Sequence, residues 1–122
     1  MTFPSDYPNN PPEMRFHTKM WHPNSKQQLS LTNVLKIVFP DGKVCISILH
    51  PPGTDQFSQE TADERWRPIL GVESIILSVI SMLNDPNIDS PANIDAAVEY
   101  RDNRELFTKK VKKLTIQSVE SL

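Results

Sequence analysis

Only one cysteine, Cys45, is present in the 122 residues, so no internal disulfide can form. The thiol is expected in a reducing setting, cytosolic or nuclear. Charge of one sign is also missing. Thirteen basic and fifteen acidic residues leave a formal net charge of -2. Neither Lys nor Arg gathers into a broad patch, which excludes nucleic acid and anionic membrane as expected partners. Lys109, Lys110, Lys112 and Lys113 read as the solvated face of a last helix. There is no long apolar run, because the widest helical stripe, Val72 to Leu83, is broken by serines and is too short to cross a bilayer. No charged-then-apolar leader precedes the polar start Met1-Thr2-Phe3-Pro4-Ser5-Asp6, and no repeat or low-complexity tract occurs. The size fits one domain with one core. No metal site and no bound cofactor are expected.

What is present is organised around Phe39-Pro40-Asp41-Gly42-Lys43-Val44-Cys45-Ile46-Ser47-Ile48-Leu49. A Pro-Asp-Gly turn feeds an alternating strand, with Val44, Ile46 and Ile48 on one face and Cys45, Ser47 and Leu49 on the other. The sulfur can therefore point away from the core, either as a small buried hydrophobe or as a nucleophile. Upstream, Pro4, Pro8, Pro11 and Pro12 make the opening extended and rigid. Met14, Phe16, Thr18 and Met20 alternate with Arg15, His17 and Lys19 as a half-buried strand ending at Trp21-His22-Pro23-Asn24. The run Val34 to Phe39 has high β-propensity and no evident partner.

Downstream, His50-Pro51-Pro52-Gly53 opens a polar loop with Asp55, Glu60, Asp63 and Glu64 against Arg65, closing at Trp66-Arg67-Pro68. Val72, Ile75, Ile76, Val79, Ile80 and Leu83 then form one helical stripe. Asp85-Pro86-Asn87 ends that helix. A second helix is expected to start at Ser90-Pro91 and run through Ile94, Ala96, Ala97 and Tyr100. A third, from about residue 104 to 119, places Phe107, Val111, Leu114 and Ser118 on one side.

The order of His22-Pro23-Asn24, Gly42 to Leu49, Trp66-Arg67-Pro68 and Asp85-Pro86-Asn87, with the opening Phe3-Pro4-Ser5-Asp6-Tyr7-Pro8-Asn9-Asn10-Pro11-Pro12, resembles the ubiquitin-conjugating enzymes. The acidic loop and Ser90-Pro91-Ala92-Asn93-Ile94-Asp95-Ala96-Ala97 look like the subfamily serving degradation at the endoplasmic reticulum. The resemblance covers the chain except residues 25–38. It implies an α+β fold, an antiparallel sheet with helices, and a transthiolation cycle. An activating enzyme, which uses ATP upstream, hands ubiquitin to Cys45 as a thioester. A RING-type ligase then brings a substrate lysine to attack it, for proteasomal degradation. The setting implied is the cytoplasm, with the cytosolic face of the endoplasmic reticulum and the nucleus as further sites.

The residue chemistry agrees, since a thiolate leaves more readily than the amine that replaces it, and no histidine beside the sulfur is required. By the resemblance Asn24 supports the oxyanion or the loop framing it. The attacking lysine must lose its proton, which carboxylates and desolvation assist. Where many relatives place an acid this chain has Ser90, so the supporting candidates are Ser90 itself with His50, Asp55 and Asp63. Asn9 with Arg67, Pro68 and Ile69 would face the ligase, and Trp66 is expected in the core.

Two departures follow from the same resemblance. The family domain begins with a helix and two strands not found here, so residues 1–122 read as a partial catalytic domain, and the Val72 to Leu83 stripe loses cover. Between Asn24 and Cys45 lie twenty residues, an excess over the family located at about 25–37. Ser25-Lys26 can be encoded AGT-AAG, Leu31-Thr32 CTA-AC and Ile37-Val38 ATA-G, so the excess also reads as a retained intron. One rival reading is a non-catalytic variant that only binds ligase or ubiquitin. Another is a thiol hydrolase pairing Cys45 with His22 or His50, for which no oriented acid is evident in the sequence.

Overall fold

The computed structural model describes residues 1–26, 37–53 and 60–122. Pro40-Asp41-Gly42 reverses the chain between β1 (Ile37–Val38) and β2 (Val44–Cys45), which pair antiparallel with Ile37 opposite Cys45 and Val38 opposite Val44. The turn requires glycine. Gly42 has φ 87°, and a Cβ there would collide with the Phe16 carbonyl oxygen.

The alternation at 13–20 appears as burial, with Met14, Phe16, Thr18 and Met20 half-buried and Arg15, His17 and Lys19 exposed. It does not form the continuous strand expected. Two isolated bridges stand in its place: Glu13 pairs with Thr2, and Arg15 with Lys43, the latter flanked by Val44 N–H to the Met14 carbonyl at 2.9 Å and Phe16 N–H to the Gly42 carbonyl at 2.8 Å. The ladder ends because its partner enters the turn on one side, while on the other Pro11 and Pro12 have no N–H to give. The second strand is also shorter than expected. Past Ile46 the chain winds into a 3-10 turn, Ser47–Leu49, and Ile48 and Leu49 both lean on the core instead of alternating.

That core joins Val38, Val44 and Ile46 to Val79 and Met82 of α1 (Val72–Asn84). Ile75, Val79 and Met82 are buried, whereas Val72, Ile76, Ile80 and Leu83 are 36–46% exposed. Among the described residues the sheet that α1 faces has two short strands and does not cover the whole stripe. α2 (Ile94–Asp102) begins after Asn93 and not at Ser90-Pro91, because the Asn93 side chain accepts the Ala96 amide at 3.0 Å. Ala92 and Asn93 also donate their amides to the Pro23 carbonyl, each at 2.9 Å. α3 (Arg104–Glu120) follows at once and presents Phe107, Val111, Leu114 and Ser118 inward as expected. Glu99 of α2 accepts from Trp21 Nε1 at 2.9 Å and from Lys110 Nζ at 2.7 Å, tying the last two helices to the segment before His22.

The chain either side of residues 27–36 is closed by hydrogen bonds. Lys26 donates its amide to the Val38 carbonyl at 2.7 Å, Val38 donates its own to the Asn24 carbonyl at 2.9 Å, and Ser25 and Val38 form a parallel bridge. Of the run Val34 to Phe39, Ile37 and Val38 do find a partner in β2, while Val34 to Lys36 lie outside the described residues.

Candidate active site around Cys45

Cys45 closes β2 with its side chain opposite the buried Val44, half-buried itself. The 3-10 turn brings the chain back, so that His50 Nε2 lies 3.2 Å from the Cys45 sulfur. On its other side His50 Nδ1 lies 2.7 Å from Glu60 Oε2. The Glu60 side chain is 3% exposed and its Oε2 is also 3.4 Å from Arg65 Nε. The Trp66 amide fixes the His50 backbone, donating to its carbonyl at 3.1 Å. Thiol, imidazole and carboxylate thus stand in line.

Burial, and then the charge of Glu60, push the Cys45 thiol above its ordinary value, while Lys43 and Lys26 pull less strongly downward. Burial also raises Glu60, but hydrogen bonds from His50 and Ser47 and the Arg65 charge outweigh it and leave the carboxyl below its usual range. A carboxylate at Oε2 requires a proton on His50 Nδ1. The lone pair of Nε2 then faces a thiol that still carries its hydrogen. This oriented acid is the element that sequence reasoning missed. Glu60 sits ten residues after His50 in a run of acids that reads as a solvated loop, and only Arg65 nearby hinted at a buried partner.

His22 is placed otherwise. It is 3% exposed, its Nδ1 accepts the Asn24 amide at 3.0 Å and its Nε2–H donates to the Met82 carbonyl at 3.0 Å. Both nitrogens are committed, so the hydrolase pairing of Cys45 with His22 is not formed. Burial pushes this imidazole below its ordinary value, with the Met82 bond opposing. Asn24, 1% exposed, donates Nδ2 to the Asn87 carbonyl and accepts the Asn87 amide at Oδ1, both at 2.9 Å. Its amide is clamped to the loop after α1 and braces it.

The remaining candidates are spread over the surface. Ser90 is exposed, and Asp55 lies outside the described residues. Asp63 is 90% exposed at its side chain, 3.9 Å from Arg67 in an i,i+4 pair. Asn9, Arg67, Pro68 and Ile69 are all exposed, Ile69 at 86%. Trp66, 0% exposed, joins their two loops by donating Nε1 to the Pro8 carbonyl at 2.8 Å, with the Tyr7 ring 6.0 Å away. Among the described residues no group of three or more His, Cys, Asp or Glu side chains is arranged to hold a metal ion.

The ubiquitin-conjugating enzyme family model matches residues 1–115, a span that contains Cys45, His50 and Glu60. The chain belongs to the ubiquitin-conjugating enzyme family. Ubiquitin-conjugating enzyme E2 7 of Arabidopsis thaliana is 53% identical over 120 residues, covering 98% of this chain and 64% of the relative. Ubiquitin-conjugating enzyme E2 15 of Schizosaccharomyces pombe is 50% identical over 122 residues, 100% of this chain and 65% of its own. Ubiquitin-conjugating enzyme E2 G2 of Homo sapiens is 47% identical over 119 residues, 98% and 64%. The chain therefore spans 64–65% of the length of these family members. A crystal structure from Plasmodium yoelii, assigned as a ubiquitin conjugating enzyme, superposes with TM-score 0.60 at 32% identity, over 95% of this chain and 59% of that one. The α+β architecture is that of the family. No helix among the described residues is long and apolar enough to cross a membrane.

Proposed function

We propose that the chain carries ubiquitin as a thioester on Cys45 and passes it, with a RING-type ligase, to substrate lysines for proteasomal degradation. The observation that carries this reading is the half-buried Cys45 thiol, 3.2 Å from His50, inside a span matched by the ubiquitin-conjugating family. ATP enters upstream, at the activating enzyme. The joined loops bearing Asn9 and Arg67, Pro68 and Ile69 are the ligase-facing surface, with Ile69 as the apolar contact. The acidic loop supports a role in endoplasmic-reticulum-associated degradation, at the cytosolic face of that membrane or in the cytoplasm and nucleus. Residues 1–122 are part of a catalytic domain, with an insertion at about 25–37.

Incubation with ubiquitin-activating enzyme, ATP and ubiquitin tests the reading. A conjugate on Cys45 that reductant removes is expected, and Cys45→Ser should give a thiol-resistant oxygen ester in its place. Ligase binding with no conjugate would identify a non-catalytic binding variant instead.

A further inference from the structure

We propose that His50, oriented by Glu60, is the general base that takes the Cys45 thiol proton as the sulfur attacks an incoming thioester. This rests on the reading of Cys45 as the ubiquitin acceptor and adds the residue that makes its sulfur nucleophilic. The geometry has the three parts that such a step needs. An acceptor nitrogen lies 3.2 Å from the sulfur, and a carboxylate oxygen lies 2.7 Å from the opposite ring nitrogen. The backbone holds the ring between them, through the Trp66 amide on the His50 carbonyl and the His50 amide on the Ser47 carbonyl at 3.0 Å. Burial and the Glu60 charge both hold the thiol in its protonated form, so a base within reach of the sulfur speeds its attack without being indispensable to it.

The step balances without any further reactant. The S–H bond of Cys45 breaks and its proton passes to His50 Nε2, while the sulfur bonds to the carbonyl carbon of the donor thioester. Collapse of the tetrahedral adduct breaks the donor's carbon–sulfur bond. The departing thiolate takes the proton from the imidazolium, which restores the neutral ring. Glu60 touches neither reacting atom. As a positioning residue it fixes which nitrogen carries the resting proton and stabilises the imidazolium formed midway. Among the described residues the charged groups that bear on this pair are Arg65 beside Glu60, and Lys43 and Lys26 acting on the sulfur.

A small acyl donor separates this proposal from the ubiquitin reading. The full chain is mixed with the mercaptoethanesulfonate thioester of acetyl-Gly-Gly, and acylation of Cys45 is followed by mass spectrometry from pH 6 to 9.5. No activating enzyme or ubiquitin is involved, so failure of charging by the cascade leaves this measurement intact. In the unaltered chain the rate is expected to level off as pH rises instead of climbing with hydroxide. His50→Ala should be about 100-fold slower at neutral pH, with a rate that climbs with hydroxide, and added free imidazole should restore it. Glu60→Gln should slow acylation about 10-fold, and Glu60→Asp should recover part of that loss. Far-ultraviolet circular dichroism confirms that each variant is folded. If the histidine variant unfolds, the pH profile of the unaltered chain decides alone. A hydroxide-linear profile there, or a folded His50→Ala that reacts at the parent rate or ignores imidazole, overturns the proposal.

Discussion

Val38 donates its amide hydrogen to the Asn24 carbonyl at 2.9 Å although thirteen residues lie between them. A peptide bond from the Asn24 carbonyl carbon to the Val38 nitrogen would therefore join groups that already lie side by side. It would set Asn24 in the place Ile37 holds opposite Cys45. Deletion of residues 25–37 is expected to keep all three helices and to raise stability by on the order of 1–2 kcal/mol, because the chain to be closed between the hydrogen-bonded ends is shorter by thirteen residues. A melting comparison checks this, and a lower midpoint or lost helix signal would sink it. Sequencing of the gene and its message tests the origin of the segment. A GTAAG after the Asn24 codon, with messages lacking codons 25–37, is the result expected of an intron.

Trp66→Phe keeps the ring and removes the donor that holds the Pro8 carbonyl. A cost of about 1 kcal/mol in urea unfolding is expected. The larger change should be functional, with ligase-stimulated discharge falling while acylation of Cys45 stays unchanged. Equal losses in both steps would show that the tryptophan serves the reactive centre rather than the junction of the two loops.

Gly42→Ala meets two obstacles, a φ of 87° and the Phe16 carbonyl oxygen in the space of the new methyl group. The turn cannot relax without also breaking the Phe16 amide bond to Gly42. A loss of at least about 2 kcal/mol is expected. A variant melting within a degree of the parent would show that the turn is not held as described.

Acid should loosen the fold in two stages, and His22 sets the first. Its folded value lies below the ordinary 6.5, so the unfolded chain binds the proton more readily. The contribution is full above about pH 6.5 and is lost as pH falls from there through the lower folded value. Glu13, Asp41 and Glu60, held below their ordinary 4.5, 3.8 and 4.5, act in the same direction at more acid pH. His22→Gln should be less stable at pH 7.5 and show a flatter decline between pH 6.5 and 5.5. An unaltered slope in that window would assign the first stage to another group.

The helices were legible because their signal is local. Phe107, Val111, Leu114 and Ser118 needed only the period of 3.6 to be placed on one face of α3, and Pro-Asp-Gly needed only its own turn chemistry. The candidate site was legible only in part. Cys45 stood out through its strand and its resemblance, and His50 was named among several candidates. Glu60 was not, because nothing local distinguishes an acid folded back onto an imidazole from one left in water. The true partners of His22 and Asn24 were hidden for the same reason. Both are bound by backbone groups of Met82 and Asn87, more than fifty residues away, and a backbone carbonyl has no letter in the sequence. The strand ends were misjudged where prolines and a turn withdrew the partner, which is a property of the neighbouring segment.

The uncovered side of α1 changes how this protein will look in the laboratory. Val72, Ile76, Ile80 and Leu83 offer an apolar strip on a folded helix, so a dye that brightens in oily surroundings will glow before any heating begins. A dye-based melt would then start from a high baseline and report as partly unfolded a chain whose three helices are formed. Two dilutions would also give two different midpoints, because strips on separate molecules find one another at the higher concentration.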